Sequence, residues 1–135
     1  MKVVLHLLLL FVAVFSLPSW CIAQDRDGNQ LLADCDAAVA FLDGQTPQEP
    51  TGAAYCLGFL QGTRLMNDYL NTPSLKYGFL GAKYALFCQP KISTNAEAAR
   101  IVVKYLRDHP ERLHEDEFIL ALAALNAAFP CANEK

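Results

Sequence analysis

The sequence predicts a small all-α protein, a compact bundle of four to five helices held by two intramolecular disulfides. Three observations lead to this prediction. Apolar residues recur at three- and four-residue steps in several segments, which is the period of an amphipathic helix. Prolines, glycines and polar residues separate these segments. Four cysteines remain beyond the N-terminal segment, and an even number in a small exported chain is typical of a two-bridge framework.

Residues 1–23 have the organisation of a secretory signal peptide. Lys2 provides a basic start, residues 3–17 are almost entirely apolar, and small residues precede the expected cleavage site. A lipoprotein signal would have a small residue immediately before its cysteine, where Trp20 stands. The apolar run is also shorter than the roughly 20 residues of a membrane-spanning helix. We therefore expect a mature domain of residues 24–135 in the periplasm, with no membrane attachment after cleavage.

The charge balance excludes one large class of partners. Lys2 is the only charged residue in the expected signal peptide, so the net charge of −3 becomes −4 in the mature chain. Nucleic-acid-binding proteins need clustered Lys and Arg to neutralise phosphates. We therefore expect no nucleic-acid partner, whereas a protein partner is compatible with this charge.

The first two helices are predicted on either side of a proline-containing loop. Apolar periodicity predicts a helix over 30–43, capped by Asn29 and ended by Gly44. The loop 45–50 contains two prolines, which cannot continue a helix. A second helix is predicted over 51–70, with its first residue, a threonine, as the cap.

Two glycines inside the second helix require an explanation. Gly58 and Gly62 lie one turn apart, and each costs about 1 kcal/mol of helix stability relative to alanine. We expect another helix of the same fold to pack closely against them. Contact with a partner is the alternative.

The second half of the chain begins with an ambiguous segment and then shows clear helix signals. Residues 74–89 fit a short helix or an extended loop. Thr94 and Glu97 form a capping box for a third helix, which ends at 109–110. A fourth helix is predicted over 115–129. Its expected buried residues are Phe118, Leu122, Leu125 and Phe129.

Helix order predicts how the cysteines pair. Short connections make neighbouring helices antiparallel, so the start of the third helix lies beside the end of the fourth and Cys88 meets Cys131. Cys35 then pairs with Cys56 across the first hairpin. Zinc sites usually have Cys or His pairs two to four residues apart, and these cysteines are much farther apart in sequence. We therefore expect no metal.

No residues in the sequence form a recognisable catalytic pattern. His109 and His114 flank a helix connection, and the acidic run 115–117 is placed to interact favourably with the dipole of the fourth helix. There is no nucleophile elbow and no glycine-rich phosphate loop. We expect a protein that is not an enzyme, with no catalytic residues and no cofactor.

Several blocks of sequence, in this order, resemble one family. They are Leu-x-x-Cys in the first helix, Tyr-Cys-Leu-Gly-Phe-Leu-Gln-Gly at 55–62, Phe-Cys-Gln-Pro at 87–90, Val-Val-Lys-Tyr-Leu at 102–106 with His-Pro-Glu at 109–111, and Ala-Phe-Pro-Cys at 128–131. Together they resemble the type VI secretion amidase immunity family, of the Tai and Rap types. The resemblance implies a periplasmic helical protein that occludes the active-site groove of an injected peptidoglycan amidase effector and so protects the cell envelope. Several members act as dimers, which implies a homodimer.

Two segments are candidates for the element that enters such a groove. One is the loop 45–50, and the other is 72–83 together with the residue that follows it. Tyrosines flanked by lysines suit partner contact, because an aromatic ring provides a large contact area for little ordering entropy. For Tyr84 a place in the core is the alternative. The candidate partner-binding residues are Gln48, Glu49, Ser74, Lys76, Tyr77, Lys83 and Tyr84.

A different class of function is also compatible with a small exported helical chain. The alternative is a periplasmic holdase-type chaperone or an orphan envelope protein-binding module. A holdase of this kind is expected to loosen in acid and expose apolar surface, whereas two disulfides and well-capped helices favour a rigid binder.

Overall fold

Four α-helices form the part of the chain that the structure, a computed structural model, describes, namely residues 25–70 and 85–131. A short 3-10 helix joins the third α-helix to the fourth, and no β-strand occurs in these residues. The all-α prediction is confirmed. The helices are α1 (Gly28–Leu42), α2 (Pro50–Leu70), α3 (Asn95–Asp108) and α4 (Glu117–Ala128), with the 3-10 helix at Pro110–Arg112.

The core lies between α1 and α3, which pack against each other, while α2 covers α1 and α4 covers α3. Leucines fill this core and alanines let the helices approach closely. The residues around α1 and α4 are also joined by backbone, since the Gly28 amide donates to the Glu115 carbonyl at 3.0 Å. Core residues include Leu31, Cys35, Ala38, Leu60, Ala99, Val102, Leu106, Leu120, Ala124 and Leu125.

The helix caps agree with the sequence for α3 and differ for α1. The Thr94 hydroxyl accepts from the Glu97 amide at 3.1 Å, which confirms the predicted cap. The cap of α1 is Asp27, whose carboxylate accepts from the Gln30 amide at 3.0 Å. The prediction that Asn29 caps α1 is therefore wrong. Asp27 and Asn29 are both residue types that cap helices, and the sequence does not distinguish between them. In the structure Asn29 instead donates to the Leu113 carbonyl.

The inward face of α4 also differs from the prediction. Leu125 is buried as expected, but Phe118 is 39% exposed. Leu120 and Ala121 point into the core instead. α4 is apolar on nearly every side, so its periodicity does not specify which face is buried.

Both predicted disulfides are present. Cys35 and Cys56 join α1 to α2, with their Cα atoms 5.1 Å apart. Cys88 and Cys131 join the segment before α3 to the residues after α4, with their Cα atoms 4.8 Å apart. The reasoning from antiparallel neighbours is therefore confirmed.

A short non-helical strap, residues 85–89, crosses the bundle between α2 and α4. Its Phe87 side chain is fully buried. The buried Asn67 amide of α2 accepts from the Leu86 amide at 2.8 Å and donates to the Phe87 carbonyl at 3.0 Å. For this part of 74–89 the extended alternative is correct. Among the described helices, none is long and apolar enough to span a membrane.

Candidate binding surface

The loop between α1 and α2 is the first predicted contact segment, and the structure places it at one end of the bundle. Gly44 has a φ of +79°, a left-handed conformation that glycine adopts without strain, and it turns the chain out of α1. Gln48 and Glu49 are both exposed. The two side chains are therefore accessible to a partner, as a contact role requires.

The second predicted segment cannot be examined in the same way. Its candidate contact residues lie outside the described part of the chain, and they are Ser74, Lys76, Tyr77, Lys83 and Tyr84. Side-chain hydrogen bonds and a disulfide fix the residues that flank this segment. Arg64 of α2 donates to the Gln89 side chain at 2.8 Å and to the Ser93 carbonyl at 2.6 Å, and the Cys88–Cys131 disulfide anchors the strap to the end of α4.

The two predicted segments adjoin opposite ends of α2. The loop 45–50 leads into the N-terminus of this helix, and Leu70 ends it. A continuous helix of 21 residues is about 30 Å long. Within one chain, Gln48 and Glu49 therefore lie far from the C-terminal end of α2.

The outward face of α2 carries a line of exposed residues at alternating steps of three and four, which we call the α2 strip. Leu65 and Tyr69 are 57% and 58% exposed. Among residues 25–70 and 85–131, a Cβ atom built on Gly58 or Gly62 would meet nothing within 4 Å. The prediction that another helix of the fold packs on these glycines is therefore wrong for the four helices that the structure describes. The strip consists of Thr51, Tyr55, Gly58, Gly62, Leu65 and Tyr69.

The reason for this error is that α2 is apolar on two sides. Its inner side, with Ala53, Cys56 and Leu60, already fills the contact with the core. The glycines lie on the other side. A helical wheel centred on Cys56 would have revealed this, because a cysteine in a core disulfide marks the buried direction.

Aromatic rings continue the exposed apolar surface from α2 onto α4. Phe59 stacks on Tyr55 with ring centroids 5.9 Å apart, and Phe118 meets Phe59 edge-on at 6.5 Å. The next residue, Ile119, is 51% exposed. These contacts explain why Phe118 lies outside the core that the sequence assigned to it.

A polar network fixes Tyr55 at the edge of this surface. Its hydroxyl donates to the Glu117 carboxylate, which also accepts from Arg26 Nε at 3.0 Å. The Arg26 guanidinium lies 4.0 Å from the centroid of the Tyr55 ring and pairs with Asp34 as well. Partial burial and the hydrogen bond to Glu117 raise the pKa of Tyr55 to about 12. These contacts hold the Tyr55 ring in one orientation at the edge of the apolar surface.

The charged side chains of α3 present a different kind of surface. A shallow groove of about 290 Å³ between α1 and α3 has Val39 and Val103 in its lining. Its cations are already paired with carboxylates, which leaves it little net charge to attract an ion. The pairs are Arg100 with Asp43 at 2.5 Å, Lys104 with Asp108 at 2.5 Å and Arg107 with Asp36 at 2.8 Å.

His109 and His114 belong to the connection between α3 and α4. The His109 ring stacks on Tyr105 with centroids 4.2 Å apart, and its Nδ1 lies 2.8 Å from the Tyr105 carbonyl oxygen. Nearby, Glu115 pairs with Arg112 at 2.6 Å, which holds the pKa of this carboxyl below its usual value. These contacts give the polar residues of the connection a structural role.

These features define a small, disulfide-bonded helical binding protein with an exposed apolar face. Residues 27–131 match the family model of the Rap1a immunity proteins. The chain belongs to the Rap1a immunity protein family, and is thus an immunity protein directed against a secreted effector, a class that generally acts without catalysis. No curated protein and no solved structure matches the chain.

Proposed function

We propose that the protein acts in the periplasm, where it binds a peptidoglycan amidase effector delivered by type VI secretion and occludes its active-site groove. The observation that carries this proposal is the family match, which spans 27–131 and includes all four cysteines of the two disulfides. An inhibitor in this location would protect the cell envelope from the amidases of neighbouring cells.

The disulfides support the periplasmic part of the proposal. Structural disulfides persist in oxidising compartments and are rare in the reducing cytosol. Cys35 and Cys56 are fully buried in the core, so their bridge is part of the packed fold. Export with cleavage after residue 23 would place the folding chain where such bridges form.

The elements that flank 71–84 support occlusion by the segment that carries Lys76 and Tyr77, since α2 extends to Leu70 before it and the anchored strap 85–89 follows it. A segment that enters a groove loses conformational entropy, and firm anchoring of its two ends reduces that cost. Asn67 and the Cys88–Cys131 disulfide provide such anchoring after residue 84. The exposed Gln48 and Glu49 form the second candidate contact. A homodimer is also part of the proposal.

The proposal is tested by mixing the mature chain 24–135 with purified type VI amidase effectors and measuring peptidoglycan hydrolysis. We expect stoichiometric inhibition of at least one amidase. The double substitution Lys76→Ala with Tyr77→Ala should weaken inhibition at least tenfold and leave the melting temperature nearly unchanged. Gln48→Ala with Glu49→Ala is tested in parallel to distinguish the two contact segments.

Two results would contradict the proposal. One is the absence of both inhibition and complex formation with every amidase effector tested. The other is suppression of the aggregation of an unfolded client protein at low pH, with no effect on any amidase, which would indicate a holdase instead.

A further inference from the structure

The two disulfides differ in how far solvent reaches them. Cys35 and Cys56 are both 0% exposed, and their bridge lies in the core between α1 and α2. Cys88, in the strap, is exposed, and Cys131, after α4, is half-buried. Thiol–disulfide exchange requires a thiolate to reach a sulfur atom of the bridge. A reductant in solution therefore has access to the Cys88–Cys131 bridge while the bundle stays closed.

The packing around the core bridge protects it from the same attack. Leu31 lies one turn before Cys35 on the buried face of α1, and Leu60 lies one turn after Cys56 on the buried face of α2. Both leucines are 0% exposed. Access to these sulfur atoms requires α1 and α2 to separate, and openings of the core are the least frequent openings of a folded domain.

The strap is held by contacts that do not depend on the exposed bridge. The Cys88 amide donates to the Phe129 carbonyl at 2.8 Å, and the Asn126 side chain donates to the Leu86 carbonyl at 2.7 Å. Phe87 is fully buried, and the hydrogen bonds from α2 add to these contacts. Cleavage of the S–S bond therefore leaves the strap beside the end of α4, where the bridge can form again.

The surroundings of the two sulfur atoms are not equivalent. Cys131 Sγ lies 3.9 Å from the Ala85 carbonyl oxygen. This oxygen carries partial negative charge and disfavours the approach of a thiolate to Cys131. A protonated Cys131 thiol, in contrast, can donate to it, since a thiol is a weak donor. The contact thus favours attack at Cys88, with Cys131 as the leaving group.

We propose that the Cys88–Cys131 bridge is a reversible thiol–disulfide exchange site for dithiol reductants, whereas the Cys35–Cys56 bridge is permanent. The redox state of the exchange site sets how firmly the strap 85–89 is held to the end of α4. The inference goes beyond the proposed inhibition of an amidase and does not depend on which effector the protein binds.

The exchange transfers two electrons from the dithiol to the bridge. One thiolate of the reductant forms a bond with Cys88 Sγ, and the Cys88–Cys131 bond breaks with its electron pair moving to Cys131 Sγ, which takes a proton from water. The second thiolate of the reductant then attacks its own sulfur in the mixed disulfide. Cys88 leaves as a thiolate and is protonated, and the reductant becomes a cyclic disulfide.

Alkylation after brief reduction tests the selectivity. The mature chain 24–135 is incubated with dithiothreitol at neutral pH without denaturant, quenched with acid and alkylated with iodoacetamide, and the modified cysteines are located by mass spectrometry. We expect Cys88 and Cys131 to be alkylated at least tenfold faster than Cys35 and Cys56. Equal rates for the two bridges, or faster reduction of the core bridge, would overturn the proposal.

Two controls establish that the fold is the origin of this selectivity. In concentrated urea both bridges should be reduced at similar rates, because unfolding exposes all four sulfur atoms. A chain with Cys88→Ala and Cys131→Ala retains the core bridge alone and should gain almost no alkylation without denaturant. A difference of the same size in urea would show that burial is not its cause and would contradict the inference.

A monothiol reductant tests the direction of attack, because it stops at the mixed disulfide. With reduced glutathione and an early acid quench, we expect the glutathione adduct on Cys88 and the free thiol on Cys131. An adduct mainly on Cys131 would refute the assigned direction.

Circular dichroism of the selectively reduced chain tests whether the exchange is reversible within the folded bundle. The helical signal should be retained, and the bridge should form again when oxidised glutathione replaces the reductant. Loss of the helical signal in step with reduction of Cys88 and Cys131 would mean that this bridge is required for folding and would overturn its role as an exchange site.

Discussion

At the scale of single residues, the contact between Tyr55 and Glu117 connects α2 to α4. The sequence placed both residues on helices but gave no sign that they meet, because 62 positions separate them. Arg26, in the segment before α1, completes the network through Glu117 and Asp34. Because 91 positions separate Arg26 from Glu117, this role was visible only in the folded structure.

The raised pKa of Tyr55 predicts a specific response to alkaline pH. A tyrosine of ordinary pKa 10.0 in the unfolded chain loses its proton before the folded one, whose pKa is about 12. The contribution of this group to stability is therefore complete below pH 10 and is lost as the pH rises towards 12. We expect the unfolding free energy of the wild-type chain to fall more steeply over this interval than that of Tyr55→Phe.

Urea unfolding at several pH values measures this effect, and Tyr69→Phe is the matched control because Tyr69 is 58% exposed on the same helix. Equal pH dependence in the wild type and Tyr55→Phe would show that the Tyr55 proton is not stabilised by the fold.

At the scale of elements, the sequence predicted four helices near their observed positions but erred in the faces that two of them bury. Thr94 with Glu97 located the start of α3 correctly, because a capping box is a local signal. No local signal in the sequence indicates which faces of α2 and α4 are buried. Both helices have apolar residues on more than one side, so neighbouring elements decide which side is buried.

The two disulfides connect elements at different separations, which predicts different contributions to stability. In the chain-entropy model, a bridge that closes 43 residues contributes about 4 kcal/mol, and one that closes 21 residues contributes about 3 kcal/mol. We expect Cys88→Ala with Cys131→Ala to lower the unfolding free energy by at least as much as Cys35→Ala with Cys56→Ala.

Thermal and urea unfolding of the two double variants measure these contributions. Hydrogen exchange should show that loss of the Cys88–Cys131 bridge increases exchange mainly in the strap 85–89. Uniform loss of protection across α1 and α3 would contradict the assignment of this bridge to the strap.

At the scale of the whole molecule, the fold and the proposed location depend on each other. A domain of this size is marginally stable, so two bridges provide a large share of its total stability. Both bridges require an oxidising compartment to form. The proposed immunity function therefore depends on export.

Expression with and without residues 1–23 tests this dependence in cells that receive an amidase in the periplasm. We expect protection from the full-length chain and none from a chain that begins at residue 24. A leaderless chain that is produced at equal levels and protects equally well would contradict the proposed location. Thiol labelling of the recovered protein provides an independent readout, since exported chain should show no free thiols.

The sequence by itself determined the helical class, the approximate helix limits and the pairing of the cysteines. These features follow from periodicity, capping signals and the antiparallel order of short-linked helices, which act over a few residues or through connectivity. Only the tertiary structure decided that Leu120 rather than Phe118 is buried and that Gly58 and Gly62 face outwards. The physical reason is that the neighbouring elements which cover a helix decide which of its apolar residues are buried and which remain exposed.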